Sequence, residues 1–337
     1  MALALQLSVK GRHRVHGNPM VGCVITREDE IIAQDYHREF GKGHAEANAL
    51  AQINSQANGA TIYITLEPCA HHGKTPPCAE ALINAGASKV VIAMLDPNPM
   101  VTGKGLKMLK DTGIVVEVGL LENEAKILNR GFIKRMQTGI PFVTSKIAMS
   151  IDGKTAMENG ESKWITSEAS RLDVHKLRRD NQAILTGSGT VLKDNPSMTA
   201  RLSDSSVTPL RVIIDSNNQI TDKSLKVFSN DAQTLVINQV NCETSNSGKV
   251  DLEAALLMLG ERGINTVLVE AGSGLNGAMQ AAGLIDELVI YTAPVLLGSD
   301  ANSMMQLPIK KMSDKVSLKI SDCRQVGADM KITASFE

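Results

Sequence analysis

Short apolar runs alternate along the chain with stretches of helical spacing, and turn residues punctuate them. After a short helix (Ala2–Val9), a strand over Met20–Thr26 and a second over Ile31–Tyr36 flank the charged turn Arg27–Glu30, which predicts a hairpin. Ala47, Leu50, Ala51 and Ile53 fall close to one helical face, placing a helix at Ala45–Asn54. A strand at Thr61–Leu66 follows, and then a helix at Ala79–Ala85 that ends at Gly86, a residue suited to a helix C-terminus. Strand Lys89–Leu95 stops at Asp96-Pro97-Asn98-Pro99. Helix Lys104–Lys110, strand Ile114–Val118 and a longer helix at Glu122–Met136 complete the first half.

Thr138-Gly139-Ile140-Pro141 follows that helix and precedes a new strand, so the pattern divides into residues 1–139 and 140–337. The second half alternates again, with strands at Phe142–Ala148, Arg211–Asp215, Thr234–Asn238, Asn265–Glu270, Glu287–Thr292 and Met330–Phe336. Strands interleaved with helices predict a three-layer αβα first domain with a mixed sheet and a second domain of α/β type. No internal repeat relates the halves.

Composition narrows the class. At 337 residues with 43% hydrophobic and 21% charged residues, the chain is large and apolar enough for two cores. A formal net charge of -1 and only 3% aromatic residues argue against a nucleic-acid-binding module, which needs basic grooves and stacking rings. No apolar run reaches the roughly 20 residues that span a bilayer, so no membrane partner is expected. Five cysteines is an odd number, and three of them, Cys23, Cys242 and Cys323, are scattered in or near apolar stretches, which reads as reduced thiols in a cytoplasmic protein.

The other two cysteines carry chemistry. Gly43-His44-Ala45-Glu46 and Glu67-Pro68-Cys69 through Cys78 combine one imidazole and two thiolates, donors that Zn²⁺ prefers. Three protein ligands (His44, Cys69, Cys78) leave a fourth position for water, whose pKa zinc lowers to about 7. Glu46, in the first turn of the predicted helix, is placed to carry protons from that water to a leaving amine. The pattern follows the H-x-E and P-C-x-x-C signature of zinc nucleobase deaminases, except that eight residues separate the cysteines. His71 and His72 lie within this longer interval, and either could replace a cysteine as ligand. Singly, these residues read as core thiols and a surface histidine; the combination with Glu46 and the flanking prolines does not.

In the second half, Gly272-Ser273-Gly274-Leu275-Asn276-Gly277 follows a strand and precedes a helix (Ala278–Ala282), suggesting a phosphate cradle. The acidic residue a Rossmann domain needs at the end of the next strand is missing, so a different α/β fold is implied. Ser145–Gly153 and Gly187–Pro196 read as further ligand walls, and Lys146, Arg178 and Arg201 suit an anionic group. The single tryptophan, Trp164, either stacks on a flat ring or covers the core. Asp173 and His175 are two apart on a predicted helix and point different ways.

Asn18-Pro19, His44-Ala45-Glu46, Thr65 to Cys78, Asp96-Pro97-Asn98-Pro99 and Ser150-Ile151-Asp152-Gly153-Lys154 together closely resemble the bifunctional riboflavin-biosynthesis deaminase/reductases. The resemblance spans essentially the whole chain, and the wide cysteine spacing sets that group apart from cytidine and tRNA adenosine deaminases. It implies a cytidine-deaminase-like domain followed by a dihydrofolate-reductase-like domain that uses NADPH. The implied substrate is a phosphoribosyl-pyrimidine, 2,5-diamino-6-(5-phosphoribosylamino)pyrimidin-4-one, deaminated first and then reduced at the ribosyl group.

By the same resemblance the zinc ligands are His44, Cys69 and Cys78 and the proton shuttle is Glu46. NADPH-contacting positions are Ala148, Trp164, Thr190, Asp194, Ser216 and Gly272, Ser273, Gly274, Leu275, Asn276, Gly277 and Ala278. Substrate positions in the reductase half are Ser162, Arg178, Met198, Arg201 and Glu270, with Lys146 added for its charge. Asn18, His37 and Lys74 are assigned to the pyrimidine or phosphate in the deaminase half. A homodimer or higher homo-oligomer is the expected assembly. The competing enzyme reading is a single-function zinc deaminase whose second half only orders the oligomer.

Overall fold

The computed structural model describes residues 1–70, 77–99, 101–202 and 208–337. They form two compact units, Met1–Gly139 and Ile140–Glu337.

In the first unit the elements run α1 (Ala2–Ser8), β1 (Gly22–Arg27), β2 (Glu30–Tyr36), α2 (Ala45–Ala51), β3 (Thr61–Ile64), α3 (Cys78–Asn84) and β4 (Lys89–Ile92). They continue with α4 (Lys104–Asp111), β5 (Val115–Val118), α5 (Glu122–Leu128) and α6 (Arg130–Thr138). The sheet order is β2-β1-β3-β4-β5, with β1 antiparallel to β2 and β3 and the remaining pairs parallel. Strand alternation covers both faces. Cys23 and Ile25 pack with Ala45, Ala49, Leu50, Leu82 and Leu109 of α2, α3 and α4, whereas Val24 packs on the other side with Ala4 and Leu7 of α1. The expected long helix at Glu122–Met136 is two helices. The buried Asn129 side chain accepts from the Met20 amide (2.8 Å) and donates to the Met20 carbonyl (3.0 Å), interrupting the helix to tie it to the start of β1.

The second unit contains β6 (Phe142–Ser150), β7 (Lys154–Ala156), α7 (Glu168–Asp180), β8 (Ala183–Gly187), α8 (Ser188–Asp194), β9 (Leu210–Ile214), β10 (Thr234–Ile237) and α9 (Leu252–Glu261). Then come β11 (Thr266–Val269), α10 (Ser273–Ala281), β12 (Glu287–Ala293), β13 (Asn302–Ser303), β14 (Leu318–Val326) and β15 (Asp329–Phe336). Eight strands form one sheet ordered β10-β9-β8-β11-β6-β12-β15-β14, parallel through β12 and antiparallel for the last two pairs. Ala183 and Leu185 face a core shared with α9 and α10, and Ile184 faces a second core with Val191 of α8. Both faces of the sheet are therefore covered, the state in which parallel strands are stable.

Two sequence expectations change here. The Gly187–Pro196 stretch is mostly helix α8, and the glycine-rich run after β11 is itself helix from Ser273 onward, not a loop leading to a helix at Ala278. Gly277 answers a packing demand, because a Cβ there would lie 2.1 Å from the Gln306 carbonyl oxygen.

Candidate active site

His44 is the N-cap of α2, Cys78 is the first residue of α3, and Cys69 follows β3, so three separate segments converge at one end of the first sheet. Their ligand atoms lie within 4.8 Å of one another. His44 Nδ1 is 3.2 Å from Cys78 Sγ and 3.6 Å from Cys69 Sγ. Tetrahedral zinc with its usual Zn–N and Zn–S bonds would set such separations at about 3.6 Å, so the donor set and spacing both fit the ion. The Cys78 amide donates to Cys69 Sγ at 3.3 Å. Proton sharing with Cys78, joined by His44, holds the Cys69 thiol well below the usual thiol range, while the same sharing and burial push Cys78 up. A bound dication would displace the proton that the two sulfurs share, and both would then serve as thiolate ligands.

Glu46 is 3% exposed. Burial lifts its carboxyl to about 7, against the opposing pull of His44, a value suited to a group that must both take and return a proton. His37 is buried beside His44, their ring centroids 5.5 Å apart. Its Nδ1 donates to the Gly43 carbonyl (3.1 Å) and its Nε2 faces the Asn18 amide (3.1 Å), which fixes a neutral tautomer. Burial also lowers its pKa, with His44 adding to the effect. Asn18 and His37 are thus brought to the metal cluster, whereas Lys74, His71 and His72 lie outside the described residues. Asn48, which the sequence reading passed over, donates to the carbonyls of Tyr36 (3.0 Å) and Gly43 (3.1 Å) and steadies the approach to His44.

Glu67, one residue before Pro68-Cys69, faces away from this chemistry. Its carboxylate accepts from the amides of Asp96 (3.2 Å), Gly103 (3.0 Å) and Leu106 (3.1 Å).

In the second unit the centre is Glu270, at the end of β11. Arg178 of α7 grips it with a fork at 2.6 and 2.9 Å, and Lys146 of β6 approaches to 3.2 Å. Burial alone would raise the Glu270 carboxyl, but Arg178 and Lys146 reverse this and hold it well below the usual carboxylate range. Arg178 also donates to the Thr199 carbonyl (3.2 Å), next to the buried Met198, and the His175 ring accepts the Arg201 amide (3.3 Å). Asp173 and His175 are indeed not a pair: Asp173 instead binds Tyr291 and Lys331, each at 2.7 Å. The supporting role of His175 was missed, although its i,i+3 spacing from Arg178 puts both on one helix face.

Among the positions assigned to NADPH, Trp164 is 70% exposed, and space is open where a Cβ on Gly272 would sit. The Asn276 side chain is occupied within the fold, accepting from Ser145 (2.9 Å) and donating to the Ala271 carbonyl (2.7 Å). Ser216 Oγ similarly accepts the Val250 amide (3.0 Å).

Comparison with known proteins follows the same division. Residues 1–94 match the cytidine and deoxycytidylate deaminase zinc-binding region, and residues 141–332 match the RibD C-terminal domain. The riboflavin biosynthesis protein RibD of Escherichia coli K12 is 43% identical over 98% of this chain and 96% of its own length. The chain belongs to the RibD family. A solved structure of the RibD family from Acinetobacter baumannii is 40% identical and superposes with a TM-score of 0.92 over 100% of this chain and 97% of that one. Another, from Thermotoga maritima, described as a diaminohydroxyphosphoribosylaminopyrimidine deaminase/5-amino-6-(5-phosphoribosylamino)uracil reductase, is 34% identical with a TM-score of 0.91 over 100% of this chain and 97% of that one.

Proposed function

We infer that the chain catalyses two successive steps of riboflavin biosynthesis. It deaminates 2,5-diamino-6-(5-phosphoribosylamino)pyrimidin-4(3H)-one hydrolytically and then reduces the ribosyl group with NADPH, giving 5-amino-6-(5-phosphoribitylamino)uracil. The observation that carries this reading is the His44, Cys69 and Cys78 cluster with buried Glu46 alongside, in the same chain as a RibD C-terminal domain. A single-function deaminase is not favoured, because the second unit keeps a buried, doubly countered carboxylate at Glu270.

His44, Cys69 and Cys78 would hold zinc, which when bound would supply the Lewis acidity that makes water nucleophilic at neutral pH. Glu46 is placed to take a proton from the attacking water and return it to the departing amine, so that the ring amino group leaves as ammonia and an oxo group replaces it. His37 and Asn18 orient the pyrimidine. When bound, NADPH would supply a hydride for C1 of the ribosyl group. In that step Ser162, Arg178, Met198, Arg201, Glu270 and Lys146 hold the substrate. Ala148, Trp164, Thr190, Asp194, Ser216 and the run Gly272–Ala278 line the cofactor. Asn276 and Ser216 do so through backbone or placement, since their side chains are already engaged.

No helix among the described residues is long and apolar enough to cross a membrane. A cytoplasmic location suits the reduced thiols, all of them unpaired. A homodimer or higher homo-oligomer is supported by the exposed edge strand β14, where Leu318 and Ile320 are 39% and 61% exposed, a surface that association would cover. Sedimentation of the purified protein tests it.

The functional test is mass spectrometry of the diaminopyrimidine ribotide incubated with the protein, with and without NADPH. An amino-to-oxo change without NADPH, followed by gain of two hydrogens with it, is expected. Deamination that is never followed by reduction would refute the second activity.

A further inference from the structure

The Trp164 ring is 70% exposed, yet one surface is occupied: the Arg171 guanidinium carbon lies 4.6 Å from the ring centroid. An arginine placed over the ring restricts it more than a lysine would, because a planar guanidinium can pack face-on against an indole where a point-like ammonium cannot. Arg171 is itself held. Its Nη1 donates to the Thr166 carbonyl at 2.8 Å, so the same guanidinium fastens the backbone two residues beyond the tryptophan.

The base of this arrangement is rigid. Arg171 sits in the first turns of α7, whose N-cap is Ser167. Asp329, 2% exposed at the start of β15, accepts from the Ser167 amide (2.8 Å), the Ser167 hydroxyl (2.7 Å) and the Ser170 hydroxyl (2.6 Å). Gly327 closes the same junction; a Cβ there would meet the Ala169 methyl at 2.7 Å. A chain of contacts therefore runs from the β14–β15 turn through the start of α7 to an otherwise solvent-facing indole.

We propose that Arg171 is a positioning residue for the reductase step, pinning Trp164 as a platform on which a flat heteroaromatic ring of the nicotinamide dinucleotide lies. This rests on the assignment of Trp164 to the cofactor site. An unpinned indole samples several rotamers, and dinucleotide binding must then select one of them; stacking on Arg171 makes that selection in advance. Arg171 does not touch the reacting atoms, so its loss weakens cofactor binding and spares the hydride step.

Trp164 is the single tryptophan of the chain, so its fluorescence reports this site without interference. The experiment compares the whole protein with Arg171→Ala, Arg171→Lys, Trp164→Phe and Trp164→Ala. It measures tryptophan anisotropy without cofactor, NADPH titration by indole quenching in the tryptophan-containing proteins, and KM and kcat for reduction, with deamination as an internal control. The expected result is lower anisotropy in Arg171→Ala and a KM for NADPH raised about three- to tenfold, with kcat and deamination unchanged and partial recovery in Arg171→Lys. If Trp164→Ala raises that KM and Arg171→Ala does not, the positioning role is overturned while the cofactor assignment stands. If neither raises it, the assignment of Trp164 falls and the inference with it. A fall of kcat, KM performance and thermal stability together in both Arg171 variants would make the residue a fold element and overturn the proposal.

Discussion

Replacing Arg178 by alanine strips the forked partner from a buried carboxylate. Glu270 and Arg178 are 13% and 15% exposed, so the pair is largely out of water. Breaking a buried pair by removing one member costs about 3–5 kcal/mol; since Lys146 still faces Glu270 at 3.2 Å, a loss near 3 kcal/mol is expected for this unit. The pH dependence identifies the cause. In the parent protein the Glu270 carboxyl lies below its usual 4.5, so its contribution is fully present above that value and fades as pH falls through the depressed folded value. In Arg178→Ala burial is no longer answered by the guanidinium, and the variant's deficit is greatest near neutrality. Below about pH 4.5 protonation removes the unmatched charge, and the deficit shrinks. The assay is denaturant unfolding of the whole protein at pH 7 and pH 4, followed by Trp164 fluorescence for the second unit and by circular dichroism, with a double-mutant cycle through Glu270→Gln. Stability deficits that are equal at the two pH values, with a coupling below about 0.5 kcal/mol, would refute the reasoning.

Other perturbations separate the two units. Glu46→Gln keeps all three metal ligands, so zinc content should stay at the parent level while ammonia release falls by about 10²–10⁴; release near the parent rate would remove Glu46 from proton transfer. Chelation of zinc should abolish deamination and leave reduction of the separately supplied deaminated intermediate intact, read by the loss of NADPH absorbance. Gly105→Ala puts a Cβ 2.0 Å from the Pro68 carbonyl oxygen, beside ligand Cys69, and should lower bound zinc and destabilise the first unit by about 1–3 kcal/mol; unchanged metal content in the purified variant would count against that link.

The metal cluster was legible because its chemistry is written in a short interval: His44 and Glu46 are two apart, and Pro68-Cys69 follows a recognisable strand. What escaped the reading depended on partners distant in sequence. Asn129 splits a helix that local spacing joins, because its side-chain amide is committed to the backbone of Met20, far away in sequence. Gly277 looked like a residue making room for phosphate, and the atom it makes room for is the Gln306 carbonyl oxygen. Glycines in Ser188–Asp194 and Ser273–Ala281 lowered the apparent helix propensity of two segments that packing nevertheless makes helical. Glu270, Arg178 and Lys146 were each singled out, but their union in one ion cluster comes from three elements and could be seen only once the sheet order placed β6 next to β11.

Strand order also bears on how the chain acquires its activities during synthesis. The sheet of the first unit closes with β5, and every metal ligand precedes residue 79, so the deaminase half can assemble while the ribosome is still far upstream of the second sheet's completion. The second unit cannot follow suit. Strand β12 lies between β6 and β15, and the Asp329 carboxylate that anchors α7 arrives with β15. A nascent chain halted before β15 would therefore carry a finished first catalyst tethered to an unfinished second one, and damage to the last strand would silence reduction without touching deamination.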